Sequence, residues 1–235
     1  MFNQPSRAIP KNYRNITGKF SSIKSDRLLS YESKLERDFL YMYELDNFII
    51  KIVEQPLTIE YVFDNKKYSY TPDFYLKTPE NFNDIIVEVK YHSDLKAIFS
   101  ESKRKYKAMV KYLENQNVDF VFHTDRCPYI QNETYLFNAH FLLNYNEIDN
   151  EHYKFISETF FPYIVIQDLM ESYSNDTYEQ LSLLTTIWTM IRKKILVVDL
   201  FQKLTTNTQL LQLRQYDDRQ YKLHLQGKIK QGYLL

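Results

Sequence analysis

Two neighbouring strand-like runs carry charged residues at positions that a β-sheet accepts only under special conditions. The first run covers residues 70–76 and holds Asp73 directly after a proline, and the second covers residues 85–90. Residues two apart on a strand point to the same face, so Glu88 and Lys90 project together from an otherwise apolar segment. Burying a charged group costs free energy unless it is paired. The two residues therefore form either a buried ion pair or part of a site.

The composition of the 235 residues is that of an ordinary globular protein, and it excludes several classes of site. The formal net charge is +0, so any contact with nucleic acid must come from a local basic patch. The single cysteine, Cys127, excludes an internal disulfide and a zinc site built from several cysteines. The only glycines are Gly18, Gly227 and Gly232, which leaves no glycine-rich phosphate loop in the body of the chain.

The cysteine usage and the hydropathy also predict where the protein resides. A lone cysteine is typical of a reducing compartment. No apolar run approaches the roughly 20 residues that a membrane helix needs, and the N-terminal residues lack the apolar core of a signal peptide. The sequence therefore predicts a cytoplasmic protein without a membrane segment.

The apolar periodicity predicts helices and strands that alternate along the first half of the chain. A helix is expected over residues 30–45, where Ser30 and Ser33 are possible N-caps and Ser33 with Glu36 has the spacing of a capping box. The remaining elements expected are strands over 48–53, 57–63, 68–76, 85–91 and 118–123 and a helix over 100–115. The passage from 85 to 123 is typical of a strand–helix–strand crossover, which favours a mixed sheet with helices packed on it.

A polar stretch at residues 144–151 predicts a domain boundary, so that the two domains cover residues 1–150 and 151–235. The second domain has mainly helical patterns, and Trp188 is assigned to its core. The first domain begins with a polar segment over residues 1–30. This segment is either a flexible terminus or an arm that lies on a phosphate backbone. Its basic residues are Arg7, Lys11, Arg14, Lys19, Lys24 and Arg27.

The acids near the two central runs suggest metal-assisted chemistry. Asp73 and Glu88 come from adjacent strands, and Glu36 lies on the preceding helix. Clustered carboxylates raise one another's pKa unless a cation neutralises them, and Mg²⁺ is the hard cation that prefers such oxygens. A bound divalent ion lowers the pKa of its water, and a lysine such as Lys90 can orient that water and offset negative charge. The alternative is an ion pair on an edge strand.

The motif residues resemble those of the PD-(D/E)xK nuclease superfamily. The signature consists of Pro72-Asp73 followed by Glu88-Val89-Lys90. Residues 32–39, 54–61 and 70–74 further resemble TnsA-type transposon endonucleases, over about residues 31–145 and more weakly at 200–205. The resemblance implies an α/β (α+β) fold of the restriction-endonuclease type, with a mixed sheet flanked by helices. It also implies a C-terminal, mainly helical domain that is winged-helix-like.

The same resemblance implies an activity and partners. The expected protein is a Mg²⁺-dependent DNA endonuclease of the bacterial cytosol, in which Mn²⁺ can substitute. It would cut one DNA strand at each transposon end while a TnsB-like transposase cuts the other, and its C-terminal domain would contact a TnsC-like AAA+ ATPase. Two alternatives are a restriction or repair endonuclease of the same fold and an adaptor without catalytic activity.

Roles follow by position in the family motif. Asp73 and Glu88 would be metal ligands, Lys90 the catalytic lysine, and Glu36 the helix acid that completes the metal shell. The family can carry an acid or a glutamine at the position of Glu88, and the acid here favours metal binding. Glu32, one helical turn earlier, is the alternative to Glu36, and Glu36 could instead serve only as a capping-box residue.

A basic helix follows the motif and is predicted to bind DNA. Its position soon after the Glu88-Val89-Lys90 strand suits contacts to phosphates, whereas the alternative is an ordinary solvated helix face. The residues predicted to bind DNA are Lys103, Arg104, Lys107 and Lys111.

Overall fold

The computed structural model describes Ser6 and residues 17–214. The chain divides into two compact units, of which the first ends at Gln131 and the second begins at Asn132. The sequence had placed a domain boundary near residue 150. Arg7, Lys11 and Arg14 of the predicted basic arm lie outside the described residues. Within the described part, no helix combines the length and apolar character needed to cross a membrane.

A four-stranded mixed sheet forms the centre of the first unit, in the order β3-β6-β7-β8. The three strands β3, β6 and β7 are antiparallel, and β8 runs parallel to β7. Helix α2 connects these two parallel strands, so the predicted crossover and mixed sheet are confirmed. The described elements of this unit are β1 (Gly18–Phe20), β2 (Leu29–Tyr31), α1 (Lys34–Glu44), β3 (Lys51–Glu54), β4 (Ile59–Phe63), β5 (Lys66–Tyr70), β6 (Phe74–Lys77), β7 (Asp84–Val89), α2 (His92–Leu113), β8 (Val118–His123) and α3 (Pro128–Gln131).

Helices α1 and α2 cover opposite faces of this sheet. On one face, the ring of Phe39 in α1 stacks on that of Phe74 in β6, with centroids 4.8 Å apart. On the other face, Tyr106 and Met109 of α2 are buried against Ile86 of β7 in one apolar cluster. The alternation of side chains along a strand directs Phe74 and its neighbours to different helices. The central strand β7 is therefore covered on both sides.

The strand expected over residues 68–76 is in fact two strands. Residues up to Tyr70 form β5, which pairs only with β4 in a separate two-stranded ribbon, and Phe74 begins β6 of the main sheet. The break coincides with Pro72, which has no backbone N–H to donate to a ladder. The prediction of one continuous strand was wrong at this point, and Asp73 lies between the two strands. The ribbon turns at Asp64 and Asn65, whose φ angles of 49° and 58° suit a tight hairpin.

Helices α1 and α2 begin elsewhere than the sequence suggested. Helix α1 begins at Lys34 and is capped by Ser33, whose Oγ accepts a hydrogen bond from the backbone N–H of Glu36 at 3.1 Å. Ser33 is thus confirmed as the N-cap, whereas the Glu36 carboxylate accepts from the N–H of Glu32 rather than from that of Ser33. Helix α2 begins at His92, because its first turns place Leu95 against the apolar cluster.

Several basic residues of the predicted N-terminal arm are used within the protein. The Nζ of Lys19 donates to Ser30 Oγ at 2.6 Å. The guanidinium of Arg27 lies 2.9 Å from the buried carboxylate of Glu54. Lys24 Nζ donates to two backbone carbonyls at the end of α1. These contacts hold the segment before α1 against the end of α1 and against β3, which leaves those charges less available to a phosphate backbone.

The second unit contains helices and short strands. The core includes Trp188, which is buried and packs edge-on against Phe141, so its assignment to the core is confirmed. Asn138 of α4 is fully buried, donates to the carbonyls of Leu200 and Gln202, and accepts from the N–H of Leu204. These bonds tie α4 to a later loop of the same unit. The described elements are α4 (Glu133–Leu142), α5 (Asn150–Thr159), β9 (Ile164–Val165), α6 (Ile166–Tyr173), α7 (Thr177–Arg192), β10 (Leu196–Val197), β11 (Gln209–Leu210) and β12 (Gln212–Leu213).

Candidate active site

Asp73 is held in place by backbone groups from two strands. Its Oδ2 accepts a hydrogen bond from the N–H of Val89 at 2.7 Å, and its carbonyl accepts one from the N–H of Gln55 at 2.8 Å. Gln55 follows β3 with a φ of 44°, so the chain turns sharply there and brings its N–H to Asp73. The carboxylate is thereby fixed against the end of β7.

Glu88 and Lys90 meet Asp73 at this end of the sheet. The Nζ of Lys90 lies 3.0 Å from Asp73 Oδ2 and 3.2 Å from Glu88 Oε1. The backbone N–H of Lys90 donates to the carbonyl of His123, which extends the pairing of β7 with β8 by one residue. The side chain of Glu88 is 2% exposed, whereas those of Asp73 and Lys90 are 22% and 28% exposed. Three of the four residues predicted to be catalytic are thus in direct contact, with Lys90 bridging the two acids.

The electrostatics of the cluster keep a proton near Asp73 and a positive charge on Lys90. Burial and the neighbouring charge of Glu88 raise the pKa of Asp73 to about 7, with a further contribution from Glu36, and the opposing effect of Lys90 is smaller. Burial by itself lowers the pKa of Lys90, but Asp73 and Glu88 more than offset this and raise it above its ordinary value. The ammonium group is therefore the counter-ion of the two carboxylates.

Glu36 lies close enough to affect this cluster electrostatically, but its oxygens bind elsewhere. Its Oε2 accepts from the N–H of Glu32 at 2.7 Å, and its Oε1 accepts from the hydroxyl of Ser33 at 3.1 Å. The pKa of Glu36 is raised above its ordinary value, because the effect of burial exceeds the lowering by these bonds and by the charge of Lys90. Both oxygens thus serve the start of α1, as in the capping-box alternative. Its role as a metal ligand stays a prediction.

The donor set fits a divalent cation held by two carboxylates. In the part of the chain that the structure describes, no group of three or more His, Cys, Asp or Glu side chains is arranged to hold a metal ion. Asp73 and Glu88 nevertheless lie together at the end of β7 and share Lys90 as a cationic partner. Mg²⁺ is commonly bound by one or two carboxylates together with water and substrate phosphates. The pair therefore suits Mg²⁺ without a third acid.

Three contacts of Glu88 were missed at the level of sequence. Tyr70 donates its hydroxyl to Glu88 Oε2 at 2.6 Å, Tyr106 donates to Oε1 at 3.3 Å, and Lys105 Nζ lies 3.6 Å from Oε1. Tyr106 had been assigned only to the apolar face of its helix. A buried carboxylate needs donors, and tyrosine is an aromatic core residue that supplies one. The need of a buried Glu88 for hydrogen-bond donors was therefore the signal in the sequence that could have pointed to nearby tyrosines.

The four residues predicted to bind DNA are exposed on α2. Lys103, Lys107 and Lys111 are spaced four residues apart and form one row along the helix, here called the basic row. Arg104 lies beside this row with its guanidinium 3.4 Å from the ring centroid of Phe63, which links the helix to the β4–β5 ribbon. The structure thus places four exposed basic side chains on the helix that also carries Lys105 and Tyr106.

Comparison with known families covers this part of the chain. Residues 46–125 match the family model described as TnsA-like endonuclease N terminal. This segment is similar to the N-terminal domain of TnsA-like endonucleases. It contains Asp73, Glu88 and Lys90, whereas Glu36 precedes the matched residues. The resemblance seen in the motif is confirmed, and the mixed sheet flanked by helices is consistent with the nuclease fold. No curated protein matches the chain in sequence.

Proposed function

We propose that this protein is the DNA endonuclease subunit of a heteromeric cut-and-paste transposase and hydrolyses one strand at each transposon end. The observation that carries this proposal is the bridge from Lys90 to Asp73 and Glu88 within a TnsA-like endonuclease domain. Here the ammonium group of Lys90 contacts two acids at once, and all three residues occupy the positions of a nuclease motif.

Asp73 and Glu88 are proposed to hold Mg²⁺, with Mn²⁺ able to substitute. The bound ion would lower the pKa of a water molecule and stabilise charge on the scissile phosphate. The backbone N–H of Val89 keeps Asp73 Oδ2 in position. The side chain of Lys90 is 28% exposed, and its ammonium group already contacts both acids. From there it can orient the attacking water and offset the charge that develops on the phosphate.

The basic row is proposed to bind the DNA backbone beside the cleavage site. Its lysines are exposed, and the same helix contributes Lys105 to the contacts of Glu88. Contacts of lysine with phosphate supply affinity without sequence information and weaken as salt concentration rises. The row thus accounts for the positioning of a duplex and leaves the recognition of transposon ends to a partner.

The second unit is proposed to be a winged-helix-like domain that binds a TnsC-like AAA+ ATPase. Its order of elements supports this, because β9 pairs with β11 and β10 pairs with β12 around helices α6 and α7. On α7, Tyr178 and Leu181 are 84% and 51% exposed and lie about one turn apart. No lysine or arginine occurs in α7 before Arg192. An exposed apolar surface without basic residues favours a protein partner over DNA.

A cleavage assay on labelled transposon-end DNA tests the proposal. The full chain would be assayed with and without TnsB-like and TnsC-like partners, next to Asp73→Ala and Lys90→Ala. We expect Mg²⁺-dependent cutting of one strand at each end that requires the partners and is lost in both variants. Cutting by both variants at the wild-type rate would overturn the nuclease assignment. Robust cutting of plain duplex by the isolated chain would favour a restriction or repair enzyme.

A further inference from the structure

Glu88 has more hydrogen-bond and ionic partners than an ion pair with Lys90 requires. Its Oε2 accepts from Tyr70 at 2.6 Å, and its Oε1 accepts from Tyr106 at 3.3 Å. A second ammonium group, that of Lys105, lies 3.6 Å from Oε1. The two tyrosines come from different elements, since Tyr70 ends the β4–β5 ribbon and Tyr106 lies in the middle of α2. The partners of this one carboxylate therefore join three parts of the fold.

The two tyrosine rings and Lys105 form a compact group. The rings of Tyr70 and Tyr106 meet edge to face with centroids 5.7 Å apart, and both side chains are buried. The Nζ of Lys105 lies 4.8 Å from the first ring centroid and 4.7 Å from the second. Cation–π attraction to two rings holds this ammonium group beside Glu88 Oε1. We call Tyr70, Lys105 and Tyr106 the Glu88 clamp.

The two kinds of donor in the Glu88 clamp act differently on a bound cation. A hydroxyl group fixes the direction of a carboxylate oxygen and adds no net charge to the site. An ammonium group neutralises the carboxylate when no ion is present, but it repels a divalent cation. Each oxygen of Glu88 accepts from one tyrosine hydroxyl, and Oε1 also contacts the ammonium groups of Lys90 and Lys105.

We propose that Tyr70 and Tyr106 are positioning residues that orient Glu88 for a divalent cation, and that Lys105 competes with this cation. The proposal rests on the proposed function, because it assigns the support of the same metal site. Groups that hydrogen-bond to a metal-ligating carboxylate typically change metal affinity or activity by about 10- to 100-fold when they are removed. The same contacts would leave cation binding unchanged if they only satisfied a buried acid.

Tyrosine-to-phenylalanine variants separate these two roles. Tyr70→Phe and Tyr106→Phe keep the ring and remove the hydroxyl. The matched control is Tyr75→Phe, because Tyr75 donates to Asp84 at 2.5 Å at the other end of the same sheet. Mn²⁺ binding to the full chain would be measured by calorimetry without DNA, and thermal unfolding would be followed in EDTA.

We expect Tyr70→Phe to weaken Mn²⁺ affinity by about 10-fold or more. Tyr106→Phe is expected to have a smaller effect in the same direction, because its hydrogen bond is longer. Tyr75→Phe is expected to bind Mn²⁺ as tightly as the wild type. If the loss of the Tyr70 hydroxyl unfolds the protein, Tyr106→Phe carries the comparison by itself.

A lysine pair tests the competition. Lys105→Met removes a positive charge from beside Glu88, so Mn²⁺ affinity is expected to rise by several-fold. Lys107→Met, two positions along α2 on the exposed side, removes the same charge and is expected to leave the affinity unchanged. An unchanged or weaker affinity in Lys105→Met would overturn the competition.

The outcomes distinguish this inference from the function on which it rests. A wild-type protein that neither binds Mn²⁺ nor cuts DNA with its partners overturns both. A wild-type protein that binds Mn²⁺, with Tyr70→Phe and Tyr106→Phe indistinguishable from Tyr75→Phe, overturns only the positioning role. Weaker binding in the two variants at unchanged thermal stability supports it.

Discussion

Lys90 Nζ lies 3.0 Å from Asp73 Oδ2, so the lysine is the counter-ion of this carboxylate. Burial and the charge of Glu88 nevertheless raise the pKa of Asp73. An ammonium group at this distance competes with a divalent cation for the same oxygen. In the proposed mechanism the same group offsets the charge of the scissile phosphate. Removal of Lys90 should therefore affect catalysis and cation binding in opposite directions.

The variant Lys90→Met tests this separation. We expect DNA cleavage to fall by about 100-fold or more, because the developing charge on the phosphate loses its partner. Mn²⁺ affinity, measured by calorimetry, is expected to be equal to or higher than that of the wild type. A Lys90→Met protein that binds no Mn²⁺ would show that the lysine is needed to build the site and not only to use it.

Asp73→Asn is expected to stabilise the protein while it removes cation binding. The pKa of Asp73 rises from 3.8 to about 7 on folding, so the folded protein holds this proton more tightly than the unfolded chain. Ionisation of Asp73 consequently destabilises the fold, increasingly as pH rises from about 4 to 7. A neutral asparagine avoids this cost, and each kcal/mol regained raises Tm by about 2–4 °C in a chain of this size.

Thermal unfolding at pH 8 in EDTA measures the effect of Asp73→Asn. The matched control is Asp84→Asn at the other end of β7, where the carboxylate accepts bonds from Tyr75 and from the N–H of Thr78. We expect this control to lower Tm, because its bonds stabilise the fold. A Tm below that of the wild type for Asp73→Asn would mean that its bond to the Val89 N–H outweighs the repulsion between the acids.

The placement of Glu88 beside Lys90 could be predicted from the sequence because residues two apart on a strand share a face. The antiparallel pairing of β6 with β7 then brings Asp73, which directly precedes β6, to the end of β7. The mixed sheet followed from the spacing of the strand, helix and strand over residues 85–123. Strand periodicity and the order of strands and helices are both visible in the pattern of apolar residues along the chain.

Other features of the site depend on tertiary contacts that the sequence does not record. The break between Tyr70 and Phe74 places Tyr70 on a separate ribbon, so its hydroxyl reaches Glu88 from outside the main sheet. The helical periodicity assigns Tyr106 only to the apolar face of α2, and its hydrogen bond to Glu88 is evident only from the structure. The sequence spacing of Ser33 and Glu36 is compatible with a Glu36 carboxylate at the start of α1 and with one that faces Asp73 and Glu88. Only the structure shows that its oxygens contact Glu32 and Ser33.

Glu36→Gln and Ser33→Ala separate the charge of Glu36 from its capping role. Glutamine retains an acceptor for the N–H of Glu32 but carries no charge. We expect Glu36→Gln to lower cleavage by about 10-fold or more with little change in Tm, because its charge acts on Lys90 and Asp73. We expect Ser33→Ala to lose about 1 kcal/mol of stability and to retain cleavage. Wild-type cleavage by Glu36→Gln would show that the residue is only a cap.

His123 makes the stability of the protein sensitive to acid. Its ring is buried beside Phe39 and Tyr43, and its Nε2 has no hydrogen-bond partner among the described residues. Burial lowers the pKa of His123 from 6.5 to about 4. The folded protein thus holds the neutral ring, whereas the unfolded chain takes up a proton below pH 6.5.

The contribution of His123 to the free energy of unfolding is therefore expected to fall by up to about 3 kcal/mol as pH falls from 6.5 to 4, opposite in sign to the contribution of Asp73. His123→Phe removes this titration and places an apolar ring beside Phe39 and Tyr43. Urea unfolding at pH 7 and pH 4.5 would give the free energy of unfolding of both proteins. We expect the free energy of unfolding at pH 4.5, relative to that at pH 7, to be higher in His123→Phe than in the wild type. The same difference between the two pH values in both proteins would mean that His123 does not contribute to the pH dependence.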